Sequence, residues 1–204
     1  MLDNVLPSYK NAMKIIRTSF DEEIAELAGR KVVLAIGVFD GVHVGHRFLL
    51  KQAVQFASSL EAAMVAYTFW PYPTHFYAKN PKKIILSRGR KFEILAALGV
   101  QFAVEQCFDA RFSKILCGDF VDFLRGKFHH LAGICVGSDF KFGHNRMGDA
   151  IFLQKLCDGS NILFKEVPEF CLNSERVSSS QIRDLLEKCN FSIANELLGN
   201  EAIC

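Results

Sequence analysis

No apolar run in this chain approaches the roughly 18–20 residues that a membrane-spanning helix needs. The opening stretch, MLDNVLPSYKNAMKIIRTSF, lacks the apolar centre of a secretory signal. Neither sign of charge dominates. The 24 Lys and Arg stand against 22 Asp and Glu, and a net charge of +2 is too small for a protein held to nucleic acid by phosphate neutralisation. The seven cysteines form no CxxC, and no Cys/His pair has zinc-site spacing. Repeats, low-complexity tracts and interdomain linkers are also missing. So are the two common phosphate cradles, GxxxxGK[ST] and GxGxxG. These absences point to a soluble, cytoplasmic protein with reduced and mostly buried cysteines, and to neither a membrane nor nucleic acid as partner.

What is present suits a single folded domain. Half of the 204 residues are hydrophobic, and 19 are phenylalanine. Residues 1–12 read as a loose extension and Met13 to Arg17 as a short strand. The stretch from Phe20 to Ala28 reads as a short helix with acids at its start. From Val32 on, buried strands alternate with helices. Strands are expected at 32–39, 62–69, 101–106, 132–137 and 162–167. Helices are expected at 47–60, 88–98, 118–125, 147–157, 179–188 and 192–198. The continuous apolar runs and the alternation argue for an α/β fold: a doubly wound, Rossmann-like parallel sheet of five strands with flanking helices. Ligands bind such sheets outside the carboxyl ends of the strands. The segments after Phe39, Phe69, Gly137 and Val167 are therefore the candidate site.

Gly37-Val38-Phe39-Asp40-Gly41-Val42-His43-Val44-Gly45-His46 leaves the first buried strand and opens a helix. Its glycines permit tight turns and close approach of a ligand to the backbone. The helix N-terminus favours an anion, and two imidazoles three residues apart can add directed hydrogen bonds. An isolated pair of histidines so spaced has a plainer reading, as helix-start residues satisfied by carbonyls. Zinc would need a third ligand that the spacing does not supply. Near the other end, Val177-Ser178-Ser179-Ser180-Gln181-Ile182-Arg183 offers an N-cap, hydroxyl donors and a guanidinium one turn into a helix.

The run GxFDGVHxGH between strand and helix resembles the signature of the HxGH nucleotidyltransferase superfamily, and SSSxxR resembles its second motif, with Ser180 in place of Thr. Val136-Gly137-Ser138-Asp139-Phe140-Lys141-Phe142-Gly143, followed by Arg146, Gly148 and Asp149, matches VGxDFxFGxxRxGD. Thr68-Phe69-Trp70-Pro71-Tyr72-Pro73 partly matches TFEPHP. Together these resemble the adenylyltransferase module of bacterial bifunctional riboflavin kinase/FMN adenylyltransferases, the FAD synthetases, over residues 13–199. That resemblance implies ATP and FMN as substrates and FAD and pyrophosphate as products, with Mg²⁺ carried mainly on the ATP phosphates and no protein metal site. It assigns catalysis to His43, His46 and Arg183. It assigns the nucleotide and its phosphates to Gly37, Val38, Phe39, Gly41, Gly45, Ser178, Ser179 and Ser180. It assigns the flavin to Asp139, Phe140, Phe142, Arg146, Phe69 and Pro71. Residues 200–204 would then be a tail, with the kinase module absent.

Three departures from the family pattern stand out. Val38 replaces a polar residue, Trp70 and Tyr72 replace Glu and His, and Ser87-Arg88-Gly89-Arg90-Lys91 differs from the usual stretch before that helix. They leave open two other readings: a superfamily enzyme with another phosphate acceptor, or a catalytically weakened flavin- or nucleotide-binding module.

Overall fold

A computed structural model describes residues 13–172 and 175–199. The expected extension at 1–12 and tail at 200–204 lie outside the described residues. Six parallel strands form the main sheet: β1 (Lys14–Thr18), β2 (Val32–Ile36), β3 (Ala63–Trp70), β4 (Phe102–Cys107), β5 (Leu131–Gly137) and β6 (Leu163–Val167). Their order is β1-β4-β3-β2-β5-β6. The chain winds outward from β2 in one direction and from β5 in the other. The crevice beyond the carboxyl ends of β2 and β5 is thus the topological switch point of the sheet.

The sheet has one strand more than the five expected. The extra strand is β1, which pairs in register with β4 from Lys14–Phe102 to Thr18–Gln106. It lies at an edge and buries only alternate residues, Ile16 and Thr18, so it lacks the continuous apolar run that marks the inner strands. The helix expected over 20–28 reduces to one 3₁₀ turn, Ala25–Leu27. Lys127 Nζ reaches the carbonyls of Ser19 and Glu22, each at 2.7 Å, and takes the acceptors a helix would have used.

The helices are α1 (Val44–Ser59), α2 (Pro73–Tyr77), α3 (Arg88–Ala97), α4 (Phe120–Lys127), α5 (Ala150–Gly159), α6 (Ser179–Glu187) and α7 (Phe191–Leu197). Helix α5 starts three residues later than expected. Asp149 caps it by accepting from the Phe152 N–H at 2.9 Å, while Gly148–Asp149 pairs antiparallel with Lys141–Phe142. Both faces of the sheet are covered. Val32, Leu34 and Ile36 pack in one core with Leu124, Leu153 and Tyr67, and Val33 and Ala35 in another with Leu50, Ala53 and Leu95. This two-sided burial is why β2 reads as an unbroken apolar run.

Candidate active site

Strand β2 ends at Ile36, three residues earlier than the sequence suggests, because the chain turns away after Gly37. A side chain on Gly37 would meet the Phe39 ring at 2.9 Å. The turn then uses left-handed backbone at Phe39 (φ 52°), Gly41 (φ 83°) and Val42 (φ 38°), which is costly outside glycine and concentrates at functional loops. His43 caps α1: its Nδ1 accepts from the His46 backbone N–H at 3.3 Å. In the neutral ring that bond places the proton on Nε2. The two imidazoles stack with centroids 3.7 Å apart, and Phe39 meets His46 edge-on at 5.4 Å. Burial pushes the His43 pKa down to about 4, with the Arg176 charge adding to the effect. Burial, then the neighbouring His43, holds His46 well below its ordinary value. Both rings are therefore neutral near pH 7. His46 Nδ1 is buried and has no hydrogen-bond partner.

The serine–arginine segment docks directly on this loop. Ser179 Oγ donates to the Asp40 carbonyl at 3.0 Å, and Ser178 caps α6 by accepting from the Gln181 N–H at 3.2 Å. Arg183 donates to Asp40 Oδ2 and, through Nε, to the Lys83 carbonyl at 2.9 Å. The other Asp40 oxygen accepts from the Ile85 N–H at 3.1 Å. Asp40 is only 3 % exposed, so this clamp satisfies a carboxylate that would otherwise be buried unpaired.

Two cavities open at the switch point. The larger, about 600 Å³, is mainly apolar. Phe39, Phe69, Phe108, Phe112, Phe140 and Phe142 are among its walls. The Phe140 and Phe142 rings lie nearly parallel, 5.7 Å apart. The smaller, about 320 Å³, has His43, Gly45, Ser178, Ser179, Ser180, Arg176, Glu169 and Phe170 among its walls. Each is of a size to hold a small molecule or part of one. His46, Leu49, Gly137 and Asp139 border both, so the cavities meet at His46.

The sequence profile of the FAD synthetase family matches residues 24–181. The chain belongs to the FAD synthetase family. It is 33% identical over 189 residues to the bifunctional riboflavin kinase/FMN adenylyltransferase of Escherichia coli K12, covering 92% of this chain and 60% of that protein. A FAD synthetase of Listeria monocytogenes is 34% identical over 174 residues, covering 84% of this chain and 70% of its own length. The chain thus spans about 60% of the length of the E. coli relative. Among solved structures, one titled a macrolide-efflux protein from Streptococcus pneumoniae superposes with a TM-score of 0.79 at 22% identity, over 92% of this chain and 70% of that one. At that identity the likeness is one of fold.

Within this FAD synthetase frame, most of the residues singled out from sequence come together. Gly37, Val38, Phe39, Phe69, Asp139, Phe140, Phe142 and Arg146 border the larger cavity. His43, Gly45, Ser178, Ser179 and Ser180 border the smaller, and His46 borders both. Gly41, Pro71 and Arg183 border neither. A side chain on Gly41 would strike Ile85 and Leu198 at 3.2 Å, so this glycine serves the turn. Arg183 is engaged with Asp40.

The sequence reading missed several lining residues. Leu49 lies one turn after His46 on α1 and was detectable by helical spacing. Phe108 and Phe112 follow the carboxyl end of β4, a loop that the strand-end rule also covers. Arg176, which is paired with Asp139 and with Glu169 at 2.8 Å, stands just before the serines.

Among the described residues, no group of three or more His, Cys, Asp or Glu could hold a metal ion. No described helix is long and apolar enough to cross a membrane.

Proposed function

We propose that the chain transfers the adenylyl group of ATP to the phosphate of FMN, releasing pyrophosphate and forming FAD. The observation that carries this reading is the meeting of an aromatic cavity and a polar, serine-lined cavity at His46. Membership of the FAD synthetase family supports it. A flat isoalloxazine suits the apolar walls, with the Phe140 and Phe142 rings and the Asp139 carboxylate beside it. Its phosphate would then lie towards His46, facing the nucleotide phosphates in the smaller cavity.

One oxygen of the FMN phosphate attacks the α-phosphorus of ATP. The new P–O bond forms as the bond from that phosphorus to the bridging oxygen of the β-phosphate breaks. The attacking oxygen is already anionic near neutral pH, so no proton has to be removed. The residues contribute position and hydrogen bonds. His43 donates from Nε2, and His46 offers its ring at the junction. The N-termini of α1 and α6, with the Ser178–Ser180 segment, receive the triphosphate. Arg183 acts on the loop, through Asp40, and so holds the turn that leads to His43 and His46. Mg²⁺ would enter on the phosphate oxygens of ATP, since the carboxylate nearest the loop, Asp40, is engaged by Arg183 and the Ile85 N–H.

Incubation with ATP, Mg²⁺ and FMN, followed by chromatography, should yield FAD and pyrophosphate in equal amounts. Binding of both substrates with no FAD formed would overturn the reading in favour of a flavin- or nucleotide-binding module. Turnover with another phosphate monoester but not FMN would favour a different acceptor.

A further inference from the structure

Lys91 lies on α3, outside both cavities, and is 1 % exposed. A lysine is rarely buried to that extent without a partner. Its Nζ donates to Thr68 Oγ1 at 3.4 Å, and Thr68 Oγ1 donates to the Val38 carbonyl at 3.0 Å. Val38 borders the larger cavity and precedes Phe39, the first left-handed residue of the phosphate loop. The chain of donors therefore runs from α3, through β3, to the backbone of that loop.

The geometry points to Lys91 as a positioning residue for the phosphate loop, acting through Thr68 on the Val38 carbonyl. This rests on the adenylyltransferase reading. The physical reason lies in the donor inventory. An ammonium has donors only, and a hydroxyl has one hydrogen. While Lys91 is charged, it fills the acceptor side of Thr68 Oγ1 and leaves the hydroxyl hydrogen for Val38. A neutral amine can accept instead, and the hydroxyl can then turn away from the loop.

The surroundings bring this exchange within reach. Glu105 Oε1 on β4 is 3.9 Å from Nζ, and that carboxylate is shared with Arg88 of α3 and with Arg17 of β1 at 3.5 Å. The rings of Tyr72, ahead of α2, and Phe92 each lie 5.1 Å from the ammonium. Asp40 acts from the phosphate loop. Burial and Arg88 favour loss of the proton, while Glu105 and Asp40 favour keeping it. Burial prevails, and the Lys91 pKa falls to about 8.

The test is FAD formation by wild type, Thr68→Val, Thr68→Ser and Lys91→Met between pH 6.5 and 9. Wild-type kcat should fall as pH rises through about 8. Thr68→Val should lower kcat at pH 7 roughly tenfold, the effect of one lost hydrogen bond, with KM for FMN and ATP little changed. Its kcat should show no decline near pH 8. Thr68→Ser should keep wild-type behaviour, and Lys91→Met, which leaves the Thr68 hydroxyl no amine to turn towards, should lose the decline near pH 8. If Lys91→Met fails to fold, the two Thr68 variants decide. A wild-type kcat in Thr68→Val, a change in KM alone, or a Thr68→Ser variant as slow as Thr68→Val would overturn the inference. If wild type forms no FAD, the adenylyltransferase reading fails separately. The positioning claim is then read from amide hydrogen exchange over residues 38–42, which should quicken in Thr68→Val and whose constancy would overturn it.

Discussion

The loop at residues 37–46 and the segment behind it at residues 68–91 meet at Val38 but hold their shapes by different means. The loop is local. Its turns, its cap and its stacked histidines arise within ten consecutive positions, and distant elements only brace it: α6 through Ser179 and Arg183, the Ile85 N–H on Asp40 and Thr68 on the Val38 carbonyl. The segment behind it is assembled from remote parts. Thr68 on β3, Lys91 on α3 and Glu105 on β4 share one buried polar cluster, and Trp70 lies under the Arg88 guanidinium at 4.6 Å. A contiguous loop can keep its pattern in the sequence while its support is rebuilt around it. Here Trp70 and Tyr72 stand where the family pattern has Glu and His, and the half-buried Arg88 and the buried Lys91 pack on their rings.

The largest effect expected from breaking the local half is on turnover. His46→Ala should lower kcat by about 10²–10³-fold, the usual effect of removing one preorganised donor from a reacting phosphoryl group. Thermal melting should show the fold retained with a small drop, because His46 Nδ1 has no hydrogen bond to lose while the ring gives up its contacts with His43 and Phe39. A near-normal kcat would separate His46 from the chemistry.

Arg183→Ala tests the dock between loop and helix. The family resemblance casts Arg183 as a catalytic residue. In the structure its guanidinium neutralises a carboxylate that is 3 % exposed. Removing one member of such a pair costs about 3–5 kcal/mol, so the variant should melt at a lower temperature as well as turn over slowly. Combining Arg183→Ala with Asp40→Asn should recover much of the stability and little of the activity.

The histidines sharpen the comparison through pH. The His43 pKa is about 4 in the folded, ligand-free protein, against an ordinary value of 6.5. Between those values the unfolded chain binds the extra proton, so stability rises with pH across this window and is lost as pH falls from 6.5 to 4. The contribution is on the order of 3 kcal/mol. Melting temperatures across that range should drop less in His43→Gln than in wild type.

Val38→Thr should have the smallest effect, because it acts at the seam. Valine and threonine are similar in size, and Val38 borders the larger cavity. A hydroxyl there can supply the polar group that the family pattern has, raising kcat by up to roughly tenfold. An unchanged kcat with a lowered melting temperature would mean that Val38 serves packing against the core.

The inner strands, the two motifs at residues 37–46 and 177–183 and the paired phenylalanines were legible in the sequence. Their causes are local: apolar runs for strands buried on both faces, caps and glycines for turns. Strand β1 was only half legible, since a one-sided edge strand of five residues leaves a short signal. The helix expected over 20–28 was misread because Lys127, about a hundred positions away, takes the carbonyls of Glu22 and of Ser19 just before it. The aromatic wall at Phe108 and Phe112 was missed although it follows the carboxyl end of β4, because no motif flags it and phenylalanine most often reads as core.

The sequence by itself determined the α/β alternation, the loop that begins α1, the serine cap of α6 and the resemblance to a nucleotidyltransferase. Each is built from signals that are local in the chain, a turn, a cap or a strand at a time. Tertiary structure decided which partners those residues keep. It engaged Arg183 with Asp40, placed His46 where two cavities meet, and set Lys91 behind Val38. Those outcomes depend on charges and cavities formed between distant segments, where burial makes an unpaired group costly, and no spacing along the chain records that cost.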